Sequence, residues 1–69
     1  MAHSFPMASD GAALASILTA LGDLEARLSA LVGPYESANR EDVVGALYEA
    51  ERSLRAAQRA VERAERYLS

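Results

Sequence analysis

The chain is 69 residues long, 51 % hydrophobic and 25 % charged, with a formal net charge of −3, no cysteine and one histidine. These values exclude a disulfide scaffold and argue against a protein-only metal cage. They argue equally against a general nucleic-acid binder, which needs net positive charge to neutralise phosphate. One small domain fits in this length, and it buries only ~60 % of the surface its unfolded chain exposes, so self-association or a partner protein is the remaining means of stabilisation.

Residues 1–9 carry His3, Phe5, Pro6 and Met7 without periodicity. Pro6 disfavours a helical Phe5, and the stretch reads as a flexible arm whose Phe5 and Met7 fold back over Tyr67 and Leu68. It lacks the basic start and apolar run of a secretory signal, and nowhere does the chain approach the ~20 apolar residues of a membrane span. A soluble cytoplasmic protein is the expectation.

Ser9 and Asp10 suit a helix start, and a first helix is predicted over 10–32. Its apolar residues Leu14, Ile17, Leu21, Leu24, Leu28 and Leu31 recur at spacings of three and four, a heptad seam with large residues at both positions. Leu18 and Val32 widen one flank. Ser16, Thr19, Gly22, Asp23, Glu25 and Arg27 fall on the outer side. Gly33 and Pro34 predict the stop, and residues 33–38 the turn.

Asn39 is a candidate N-cap for a second helix over 39–68, with Glu41 and Asp42 complementing the dipole of its first turn. A second unbroken seam follows: Val43, Leu47, Ala50, Leu54, Ala57, Val61, Ala64 and Leu68. One column of it, Leu47, Leu54, Val61 and Leu68, is large. The other is almost entirely alanine. Gln58 and Glu65 flank the seam at positions that set register or partner choice.

The short connector predicts an all-α, two-helix antiparallel hairpin. Two helices pressed together bury one stripe each, and burial worth ~25 cal/mol per Å² then roughly balances the conformational entropy of so short a chain. Pairing two hairpins as a twofold homodimer closes a four-helix bundle with large residues opposite alanines. In size and in Leu/Ala layering this architecture resembles the repressor of primer, a small plasmid-encoded RNA-binding hairpin that forms a dimeric bundle; the resemblance includes no residue-level motif.

All seven basic residues are arginines, and Arg52, Arg55, Arg59, Arg63 and Arg66 form a ridge on one face of the second helix. Glu49, Glu51, Glu62 and Glu65 are interleaved, and Glu51–Arg55 and Glu62–Arg66 are favourable i, i+4 pairs. The ridge reads as a solvated face or as a surface for an acidic protein segment, RNA or a nucleotide phosphate. Glu49 and Ser53 are a weak ligand pair one turn apart. Tyr35, Tyr48 and Tyr67 read as rim residues of the core. With no cysteine, no lysine, no histidine outside the arm and no glycine-rich loop, neither catalysis nor a cofactor is expected. The predicted function is a homodimeric protein–protein interaction or regulatory module, the alternative an RNA- or nucleotide-binding bundle that uses the arginines.

Overall fold

A computed structural model describes residues 8–69, and these are helical apart from a short connector and the last residue. Helix α1 spans Ala8–Ser37 and α2 spans Glu41–Leu68, ~45 and ~42 Å of helix respectively. They pack against each other as an antiparallel hairpin. The expected contacts of Phe5 and Met7, and His3 itself, lie outside the described residues. Because α1 is already helical at Ala8, Ser9 and Asp10 lie in its first turn and not ahead of it.

The turn differs from its prediction. Gly33 and Pro34 do not end α1; the helix runs through both to Ser37. Proline clashes chiefly with the Cβ and N–H of the residue before it when that residue is helical, and Gly33 has no Cβ. The left-handed residue is Asn39, at φ 58°, whereas no glycine among the described residues has positive φ. Arg40 N–H donates to Tyr35 C=O at 2.9 Å and Asn39 N–H to Glu36 C=O at 3.0 Å. These are the two bonds of a Schellman closure, with Asn39 in the place usually taken by glycine. Asn39 therefore ends α1 and does not cap α2. Arg40 occupies the cap of α2 without a side-chain capping bond, and its guanidinium instead grips Asp42 through two hydrogen bonds of 3.0 and 2.9 Å.

Packing selects one of two seams on α1. The residues turned toward α2 are Leu14, Leu18, Leu21, Glu25, Leu28 and Val32. Ile17, Leu24 and Leu31, half of the predicted seam, are 46, 44 and 47 % exposed. On α2 the predicted seam is the half-buried face from Val43 to Ala64, and only its last member, Leu68, is exposed. Val32 is the one buried hydrophobic residue among those described. The other large apolar residues of the packing faces are only half-buried, so the hairpin alone encloses little core.

Candidate functional site: an apolar face, a polar edge and an arginine face

One edge of the hairpin is polar. Ser29 donates its hydroxyl to Glu51 Oε1 at 2.8 Å, Arg55 Nη1 donates to Glu25 Oε2 at 2.7 Å, and Gln58 Nε2 donates to Glu25 Oε1 at 3.3 Å. Arg55 Nη1 also lies 3.8 Å from Glu51 Oε1. Further along, Tyr48 donates to Glu36 Oε2 at 3.4 Å, and the negative charge of Glu36 is the main influence raising the Tyr48 phenol above its usual pKa. Gly22 faces Gln58, where an added Cβ would meet Nε2 at an ordinary 3.9 Å.

Glu51, although interleaved with the arginines, does not belong to an exposed face. It is buried, only 6 % exposed, and its Oε2 is enclosed without a hydrogen-bond partner. Burying a carboxylate with half its acceptor capacity unmet costs free energy that an apolar side chain would not. The sequence signal for it was indirect: Glu51 stands one heptad before Gln58 and two before Glu65, in the column flanking the seam.

The opposite face is apolar. On α1 the polar edge uses Gly22 and Ser29, so Ile17, Leu24 and Leu31 stand on the far side of the packing line. On α2 it uses Glu51, Arg55 and Gln58, so Val43, Ala50, Ala57 and Ala64 stand on the far side there too. Both columns therefore share one face of the hairpin, large on α1 and small on α2. Leu24, Leu28, Leu31, Leu54 and Arg27 line an open groove of about 400 Å³ on it. A second open cleft, beside the turn, is lined by Glu36, Asn39, Arg40, Glu41, Val44 and Gly45.

The arginine ridge divides. Arg55 is drawn into the polar edge, while Arg52, Arg59, Arg63 and Arg66 are exposed on the back of α2, with no carboxylate within 4.0 Å among the described residues. The expected Glu51–Arg55 pair is present at 3.8 Å. Its counterpart Glu62–Arg66 is not formed, as is common for solvated pairs whose side-chain entropy offsets a weak attraction. Glu49 and Ser53 are exposed and share no hydrogen bond, and Tyr35, Tyr48 and Tyr67 are all exposed. Asp42 is held below the usual carboxylate range, first by the Arg40 guanidinium and then by the Val43 N–H. Among the described residues there is no group of three or more His, Cys, Asp or Glu placed to hold a metal ion, and no helix long and apolar enough to cross a membrane.

No protein-family model, curated protein or solved structure matches this chain. Its own surfaces are the guide to its function.

Proposed function

We propose that the protein is a small helical interaction or regulatory module that works as a homodimer, two hairpins closing on their apolar faces into an antiparallel four-helix bundle. The observation that carries this reading is the exposed column Ile17, Leu24 and Leu31 facing the same way as the alanines of α2, on a hairpin in which Val32 is the one buried hydrophobic among the described residues. Exposed apolar faces of this extent on a soluble chain mark association sites. Helix α1 also carries large apolar residues on two flanks, Leu18 and Val32 on one and Ile17, Leu24 and Leu31 on the other, with Asp23 and Arg27 on its outer side, whereas α2 divides sharply into an apolar and a charged side. With the apolar faces consumed by self-association, the outer faces remain for another protein. No catalysis is assigned to the module.

Sedimentation equilibrium at micromolar concentration tests the reading. The expected mass is twice the 7.4 kDa of the chain. Replacing Leu24 with Glu is expected to yield monomers that lose most of their helix signal. A wild-type monomer that keeps full helicity on dilution refutes the proposal.

The unpaired guanidinia of Arg52, Arg59, Arg63 and Arg66 favour a second reading, an RNA- or nucleotide-phosphate-binding bundle. Binding of a short RNA that weakens steeply with salt, and that disappears in the Arg52→Ala/Arg59→Ala/Arg66→Ala variant, supports it. Salt-insensitive association with a protein partner supports the first reading.

A further inference from the structure

A homodimer closed on its apolar faces can be seated in two ways, according to which helix of the second copy covers which helix of the first. Taking the homodimer as given, we infer that the second copy is seated about a twofold axis parallel to the helices, so that Leu31, Leu24 and Ile17 of each α1 lie against Ala50, Ala57 and Ala64 of the other copy's α2.

The polar edge supplies the register. Ser29 stands level with Glu51, Glu25 with Arg55 and Gly22 with Gln58. Moving two residues up α1 from Ser29 to Leu31 corresponds to moving two residues down α2 from Glu51, to Glu49. Leu31 is thus within one residue, ~1.5 Å, of the level of Ala50. The same count puts Leu24 within one residue of Ala57, and Ile17 within one residue of Ala64. Three large residues on α1 and three alanines on α2 therefore stand at three shared heights on one face.

A twofold axis along the helices leaves every height unchanged and exchanges left for right. It lays the large column of each copy over the small column of the other, and each leucine or isoleucine meets an alanine at its own level, three times per contact and twice per dimer. Packing of this kind fills space with the interhelical distances kept even. The competing arrangement, with the axis across the helices, sets α1 on α1 and α2 on α2. It stacks large on large at one side of the bundle and alanine on alanine at the other. The first pair is forced apart and the second pulled together, although the polar edge ties α1 and α2 of each hairpin side by side. The size of the hairpin does not limit the contact: an envelope of 56 by 18 Å bounds the projected face at roughly 1,000 Å², which leaves room for the ~800 Å² per partner of a standard stable interface. Arg27, on the rim of the groove, would stand level with Ser53 of the second copy and one turn from Glu49, so the rim brings a cation toward a carboxylate.

Because the chain has no cysteine, single cysteines report the arrangement directly. Leu24→Cys and Ala57→Cys proteins, each checked for helicity and dimer mass, are mixed, allowed to exchange subunits and oxidised. The expected product is the mixed 24–57 disulfide, at least tenfold above either like-with-like species. In the proposed arrangement the two copies of residue 24 stand on diagonal helices ~11–14 Å apart, beyond the ~7 Å that a disulfide spans. A dominant 24–24 product, or a dimer giving no 24–57 product, overturns the seating and leaves the dimer intact. Sedimentation of the unmodified protein as a monomer instead overturns the dimer reading itself.

Discussion

Replacing Glu51 with leucine is expected to make the protein more stable, although it deletes a hydrogen bond and a charge contact. The deleted bond, from the Ser29 hydroxyl at 2.8 Å, is charge-assisted and worth about 1.5–3 kcal/mol in place. Little of that is lost outright, because Ser29 is exposed and its hydroxyl returns to water. Arg55 is not orphaned either, since it keeps Glu25 at 2.7 Å. Against these losses stands the removal of a buried carboxylate oxygen with no partner, a penalty of ~1–3 kcal/mol, together with ~1.5–3 kcal/mol from burying a leucine side chain at the same place. The balance favours the variant by about 1–3 kcal/mol, in the range found when buried ion pairs give way to apolar residues. For a domain of this size each kcal/mol raises Tm by roughly 4–8 °C. The assay is urea unfolding followed by circular dichroism at 222 nm. Wild type and variant are compared at one protein concentration, because the proposed self-association would contribute to apparent stability. Ser29→Ala must move the other way, by ~1–2 kcal/mol, since it leaves the buried carboxylate with Arg55 alone. A Glu51→Leu protein destabilised by about 1 kcal/mol or more would refute the reasoning and mean that the enclosed oxygen is satisfied, for example by a buried water.

Three other substitutions have outcomes set by the geometry. Asn39→Ala is expected to cost about 1 kcal/mol, because a Cβ-bearing residue without a short polar side chain is disfavoured at φ 58°, and Asn39→Gly to cost nothing or to stabilise slightly; thermal melts of the pair decide it. Gly22→Ala should stabilise by ~0.5–1 kcal/mol, since the helix gains propensity and the new methyl meets Gln58 Nε2 at 3.9 Å without a clash; a Tm below that of wild type contradicts this. The pKa of Asp42 is depressed in the folded state, so its contribution is present above the ordinary carboxylate value and is lost as pH falls through the folded value. Asp42→Asn should therefore lower the neutral and alkaline plateau of a stability–pH curve, flatten its acid limb and meet the wild-type curve at low pH.

The helical periods, the antiparallel hairpin and the apolar part of the α2 packing face from Val43 to Ala64 were legible in the sequence, whereas Glu51, the buried residue of that face, was not. They depend on spacing alone, and spacing survives folding. The end of α1 was not legible, because a Gly-Pro pair is a stop signal only on average. Here glycine removes the Cβ that makes the pre-proline residue avoid the helix, and the asparagine six residues after Gly33 supplies the left-handed turn. The packing face of α1 was half legible for a different reason. Leu14, Leu21 and Leu28 belong to two seams at once. One continues through Ile17, Leu24 and Leu31, the other through Leu18, Glu25 and Val32, and periodicity does not choose between them. Likewise Arg55 has the spacing of its exposed neighbours. Only the cross-helix level of Glu25 separates it from the ridge.

Hydrophobicity alone would choose the first seam, in which every member is large and apolar. The hairpin uses the second and turns a glutamate toward its neighbour. The groups that gain by this choice are Glu25 with Arg55 and Gln58, and Ser29 with Glu51, all on one edge and all across the helix pair. None is a strong source of stability, and one of them is a liability. Their effect is on which way α1 faces. Rotating α1 to bury Ile17, Leu24 and Leu31 against its own α2 would separate these partners and strand Glu51. Keeping them together leaves the three large residues outside, level with the three alanines. Polar groups in a helical interface are best attested as devices that fix register and partner choice at some cost in stability. On this protein the same device would do both: hold one hairpin in register, and present the second hairpin with the surface it needs.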